Sequence, residues 1–210
     1  MKLFKKVLAV ALVGAMAVSM LTACGASKSS KVKDALKDFD IKMDPAMVQN
    51  TEKLMGGLQM ITEKVTSGQI NLDDGTGLDQ VVEGFKTMTD YSFTTGSDKK
   101  YDLYIWTNGA NGRPVPHSTE TVKYPYLMKV QAVHVTKDGL KRLLQKDFIQ
   151  KGEFSGNTEA VDILRSLLKG AGVEKAGISI DKVYGKDVLL VTVPAGTTIP
   201  QTAAPKTLTT

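Results

Sequence analysis

One cysteine, two histidines and a scatter of serines, lysines and carboxylates hold whatever covalent or acid–base chemistry this chain of 210 residues can perform. The cysteine, Cys24, is the most informatively placed. Lys2, Lys5 and Lys6 make a cationic start, and Val7 to Met20 is an apolar run broken only by Gly14 and Ser19. Leu21-Thr22-Ala23-Cys24 closes it. A positive segment, an apolar segment and small residues before a cut make a secretory signal. The apolar stretch, about 14 residues, is short of the ~20 that a membrane-spanning helix requires.

The four closing residues resemble the lipobox of bacterial lipoproteins. That resemblance implies cleavage between Ala23 and Cys24 and a thioether-linked diacylglycerol on Cys24, with acyl chains of the palmitate type. The expected location is the extracytoplasmic face of the cell membrane, with the bilayer as partner through lipidated Cys24. Each buried CH₂ contributes ~0.8 kcal/mol, so two chains hold firmly where one is marginal. An alkylated Cys24 leaves no thiol for a disulfide, a metal or a nucleophile. The resemblance covers only the N-terminal segment and carries no fold and no activity.

Loss of the signal also changes the charge. The full chain has 27 basic and 22 acidic side chains. Removing Lys2, Lys5 and Lys6 leaves 24 against 22, a formal +2. That balance argues against nucleic acid as a partner, which requires a clustered basic face.

Histidine is the usual acid–base group, and His134 falls in phase with Val130 and Ala132 in an extended run, where a packed role is expected. His117 follows Arg113-Pro114-Val115-Pro116 on a loop, where functional residues concentrate. Neither has a second ligand at metal spacing, and a zinc site needs about three protein ligands. No metal and no other cofactor is expected. Ser-x-x-Lys occurs at Ser30/Lys33, Ser97/Lys100, Ser166/Lys169 and Ser179/Lys182. None comes with the Ser-Asp-Asn or Lys-Thr-Gly elements of penicillin-binding enzymes, and no Gly-x-Ser-x-Gly elbow exists. Asn71 to Asp79 superficially suggests a calcium loop. Setting Gly75 at the sharp-turn position puts Ile70 and Leu72 where oxygen ligands are required. A solvated turn, with Asp side chains bonding local backbone, is the expectation there.

The aromatics are the remaining candidates. Tyr104 and Trp106 share one face of a strand patterned over 101–107, opposite Leu103 and Ile105. Tyr124 and Tyr126 share a face of the next extended run. Pairing of these strands would gather four polar-tipped rings, with His117 on the connecting loop, into a patch able to stack a sugar or a peptide. The competing expectation is that an amphipathic helix covers this face and the rings are core.

The elements that would position these residues can be read from periodicity. Gly25 to Ser30 is small and polar, so 24–43 is read as the lipidated cysteine and a flexible spacer. Within it, Val32, Leu36 and Phe39 pattern a short helix. Asp44-Pro45 starts a long helix with Met47, Leu54, Leu58, Ile61 and Val65 on one face. Gly56-Gly57 in its middle implies close packing or a break. A second helix is expected at 78–88. A third is capped by Asp138, with Leu140, Leu143, Leu144 and Phe148 on one face. A fourth opens at Asn157 or Thr158. Extended runs at 101–107 and 122–136 are separated by a glycine-rich loop, and Tyr184-Gly185-Lys186-Asp187 joins a final hairpin. Segregated elements imply an α+β fold: a single compact domain over 44–194, a mainly antiparallel sheet and about four amphipathic helices. The Thr/Ala/Pro composition of 195–210 implies a solvated tail. The function expected is a membrane-anchored binding or interaction module with a cell-wall glycan or peptide as ligand, without catalysis. The alternatives are a carboxylate-based glycan hydrolase of the cell envelope and a structural or assembly lipoprotein.

Overall fold

The computed structural model describes residues 26–87, 100–108, 125–131 and 136–199. Five strands form one sheet in the order β1-β4-β5-β2-β3, with only the β1–β4 pair parallel. The expected α+β architecture is present, and the sheet is mainly antiparallel. Helices lie on both of its faces.

Chain order begins with α1 (Ala26–Lys37). The short helix patterned by Val32 and Leu36 is present with both residues buried, and it starts earlier than expected, taking in the polar residues 26–30 expected to be flexible spacer. A turn with Asp40 at positive φ leads into β1 (Lys42–Met43). Next comes α2 (Pro45–Thr66), where Asp44 Oδ1 accepts from the Ala46 and Met47 amides at 3.0 and 3.2 Å and Pro45 takes the first helical position. Both features follow helix-start chemistry. The helix runs unbroken through Gly56-Gly57. A Cβ on Gly56 would meet nothing within 4 Å, so packing does not demand that glycine.

After α3 (Leu78–Thr87) come β2 (Tyr101–Asn108) and β3 (Pro125–Val130). The single helix expected from Asp138 is two, α4 (Lys137–Leu143) and α5 (Lys146–Lys151). Gln145 is extended between them, and the change of direction lets Ile149 bury while Gly152 backs onto β2. A Cβ there would lie 2.7 Å from the Trp106 carbonyl oxygen. The cap of α4 is Thr136, whose hydroxyl accepts from the Gly139 amide, while Asp138 sits in the first turn. Asn157 caps α6 (Thr158–Gly170) through the Ala160 amide.

β4 (Lys175–Val183) and β5 (Lys186–Pro194) close as a hairpin over just two residues, Tyr184 and Gly185. Both have positive φ, the combination that matches strand twist in a two-residue loop. On one sheet face, Leu103, Ile105, Val188 and Leu190 pack against α2, α3, α4 and α5. On the other, Tyr104, Trp106, Ile178, Ile180 and Val191 pack against α1, α6 and Phe154. Ile199, assigned from composition to a solvated tail, is 3% exposed within this second core. Folded structure therefore extends past 194, held by Gly196 N–H donating to Asp102 and by Tyr104.

The first turn of α2 passes against the backbone of β4 at Gly177. A Cβ on that residue would overlap the Met47 carbonyl carbon and oxygen, neither of which can rotate away. It would also come 2.5 Å from Thr192 Oγ1. Overpacking in a core costs about 1–3 kcal/mol, and a backbone obstacle places Gly177→Ala at the upper end of that range. Urea unfolding should show a matching loss, whereas Gly56→Ala should unfold at or above the wild-type midpoint.

Candidate functional site

The aromatic face is decided by register. β2 and β3 do pair, but Trp106 stands opposite Leu127 and Thr107 opposite Tyr126. Directly opposed residues share a face, so Tyr126 occupies a register position off the alternation that holds Tyr104 and Trp106. Those two are each 2% exposed. Trp106 meets Phe154 edge-on, with centroids 4.9 Å apart, and Tyr104 donates its hydroxyl to the Thr197 carbonyl at 2.7 Å. The expected stacking platform is thus corrected. Two of its rings are core, covered by α6, Phe154 and the 195–199 segment. Tyr124, His117, His134, Ala23 and Cys24 lie outside the described residues.

An ion pair with a buried carboxylate, missed in the sequence, starts from the same strand. Asp102 accepts from Lys129 Nζ at 2.8 Å and from the Gly196 amide at 2.9 Å, and its side chain is 1% exposed. The only sequence signal is a carboxylate in phase with Tyr104 and Trp106. The pair ties β2 to β3 and to the segment after β5. Its geometry is structural.

The Ser-x-x-Lys pairs hold no nucleophile arrangement at the three sites within the described residues. Ser166 donates to the Asp162 carbonyl, Lys33 pairs with Glu52 at 3.3 Å, and Lys182 pairs with Asp187 at 3.3 Å. In the 71–79 turn, Asn71 Oδ1 accepts from the Asp73 amide and Asp74 Oδ1 from the Thr76 amide. The hydrogen bond from the Thr76 backbone, with one from its hydroxyl, holds the Asp74 carboxyl below its ordinary range. Asp79 pairs with Lys137 at 3.6 Å, and Lys141 donates to the Asp73 carbonyl. The turn therefore spends its side chains on local backbone and on α4. Among the described residues, no three His, Cys, Asp or Glu side chains gather as metal ligands.

What the fold does form is an open groove of about 400 Å³ between the C-terminal half of α2 and the hairpin turn. Gln59, Thr62, Glu63, Thr66, Lys182 and Tyr184 are among its lining residues. Gln59 Nε2 donates to the Lys182 carbonyl at 3.0 Å, locking the helix to the strand edge. Tyr184 donates to the Leu144 carbonyl at 2.9 Å, which orients its ring over the first core. The groove has a mixed polar and apolar lining and carries one exposed acid, Glu63, and one exposed base, Lys182. It was not legible in the sequence, because its walls come from segments more than 100 residues apart. In comparisons with known proteins no family model, no curated protein and no solved structure matches the chain.

Two measurable consequences follow from the buried rings. Trp106 is the single tryptophan, so its emission should be blue-shifted and shielded from quenchers. Trp106→Ala should cost about 3–5 kcal/mol of stability, read from urea unfolding followed by circular dichroism. Alkaline pH should also destabilise the domain. Burial pushes the phenols of Tyr104 and Tyr184 above their ordinary value of 10.0, because it disfavours phenolate. Their folded-state values lie above the unfolded ones, so this contribution is complete below about pH 10 and is lost as pH rises through the folded values. Unfolding midpoints measured from pH 9 to pH 11 (roughly a unit either side of the free phenol) should fall, and less so in Tyr104→Phe.

Proposed function

We propose that the chain is a lipoprotein anchored on the extracytoplasmic face of the cell membrane, and that its domain is a binding or interaction module. The observation that carries this is the position of Cys24. The lone cysteine ends Leu21-Thr22-Ala23-Cys24 behind a cationic and apolar leader, and two residues later the helix begins that completes the second core. Signal, lipid acceptor and folded domain are thus nearly contiguous.

The groove between α2 and the hairpin turn is the candidate binding site. Hydroxyl, amide, carboxylate and ammonium groups line it, a donor and acceptor set suited to a polar ligand such as a cell-wall glycan or peptide. A glycan hydrolase requires two carboxyls facing each other across a cleft at about 5–9.5 Å. Glu63 is the one carboxylate among the residues lining this groove, which favours binding over hydrolysis there.

Replacing Cys24 by serine removes the acceptor sulfur. Cys24→Ser should leave the protein as an uncleaved precursor or release it from the membrane fraction, and should abolish incorporation of an alkyne-tagged palmitate. Mature, membrane-held protein in that variant would show that something other than a lipid on Cys24 tethers it.

A further inference from the structure

The connection between Cys24 and the domain is too short to let the domain float above a membrane, and it leaves from a defined end. Ser29 fixes α1 to the outer edge of β4. Its hydroxyl donates to the Ile180 carbonyl and accepts from the Ile180 amide, both at 3.1 Å. Three residues later Val32 is buried, and Leu36 follows at 0% exposure. Beyond the helix, Phe39 packs under the Arg165 guanidinium of α6, 3.5 Å from the ring centroid. Contacts along its length therefore seat α1 on the sheet.

Direction follows from the same contacts. α1 begins beside Ile180 and ends near β1, whose Lys42 amide donates to the Glu174 carbonyl at 2.8 Å. It thus runs antiparallel to β4, with its N-terminus toward the β4–β5 turn. Cys24 precedes Ala26 by two residues, a reach of about 7 Å at most, and Ser29 lies about 4.5 Å along the helix. The lipid-bearing residue must therefore sit within about 12 Å of Ser29. From Ile180 the strand end at Val183 is about 10 Å away, while Lys175 is about 17 Å in the opposite direction.

We propose that the hairpin end of the domain, formed by the β4–β5 turn, the N-terminus of α1 and the C-terminus of α2, is held against the headgroup layer of the bilayer. This rests on reading Cys24 as lipid-bearing. The short covalent link sets the orientation. At the turn itself Lys182 pairs with Asp187 and Lys186 with Glu153 at 3.3 and 3.1 Å. The groove opens at the same end, so its ligand reaches it at the membrane surface.

The test uses the full lipidated chain in phosphatidylethanolamine–phosphatidylglycerol vesicles containing a headgroup-nitroxide lipid. A bimane fluorophore is placed on Lys182→Cys or, at the opposite end of β4, on Lys175→Cys. Mass spectrometry of the N-terminal peptide verifies the lipid on Cys24. Quenching severalfold stronger at 182 than at 175 is the expected result. Inserting 15 Gly/Ser residues after Gly25 adds a coil of about 20 Å, and should bring 182 down to the level of 175 while membrane binding persists. Equal or reversed quenching in protein verified as lipidated would overturn the orientation and leave the anchor standing. Strong quenching at 182 that survives the insertion would overturn the tether as its cause. An unmodified Cys24 would overturn both the orientation and the anchor.

Discussion

Backbone contact between α2 and β4 at Gly177 sets the geometry on which the remaining packing depends. No side chain separates the Met47 carbonyl from the strand there. The space that remains is filled by a buried polar cluster. Thr51 and Thr192 both donate to the Met47 carbonyl, at 2.6 and 3.2 Å, and their hydroxyls lie 2.8 Å apart. A buried hydroxyl without a partner costs about 1–3 kcal/mol, so the cluster tolerates little displacement. With its first turn pinned, a helix of 22 residues must lie along the hairpin. That brings Gln59 to the Lys182 carbonyl and Leu54, Leu58 and Ile61 onto the first core.

The two sheet faces then take different roles. One is covered by four helices from the middle of the chain. The other is covered by α1, α6, Phe154 and Ile199, the last from a segment that looks like a tail. Asp102 explains how that segment is retained. One carboxylate oxygen accepts both the Lys129 ammonium and the Gly196 amide, and the Tyr104 hydroxyl reaches the Thr197 carbonyl beside it. Breaking such a pair by removing one partner leaves a charge stranded in a low dielectric. The aromatic strand consequently serves the packing of the second core.

Docking of α1 both completes the second core and fastens the helix to the sheet edge. Ser29 bonds both the amide and the carbonyl of Ile180 on β4's outer side, and Gln59 bonds the Lys182 carbonyl on the same side. Exposed strand edges invite pairing with other chains. Here side chains from two helices occupy groups along that edge, so α1 and α2 also protect the sheet.

Local signals in the sequence determined the Asp44-Pro45 helix start, the Asn157 cap, the α+β class and the hairpin at Tyr184-Gly185. Each depends on residues a few positions apart, where capping, periodicity and positive φ act directly. Tertiary structure alone decided the rest. A one-residue offset in register, Trp106 against Leu127, separated Tyr126 from the other rings. The bonds from Ser29 to Ile180 and the burial of Ile199 turned an apparent spacer and an apparent tail into folded structure. The groove was assembled from α2 and the hairpin, whose separation along the chain leaves no local trace. Composition reports what a segment would do in water, whereas register and long-range burial depend on which distant surface the segment meets, and short-range patterns do not contain that information.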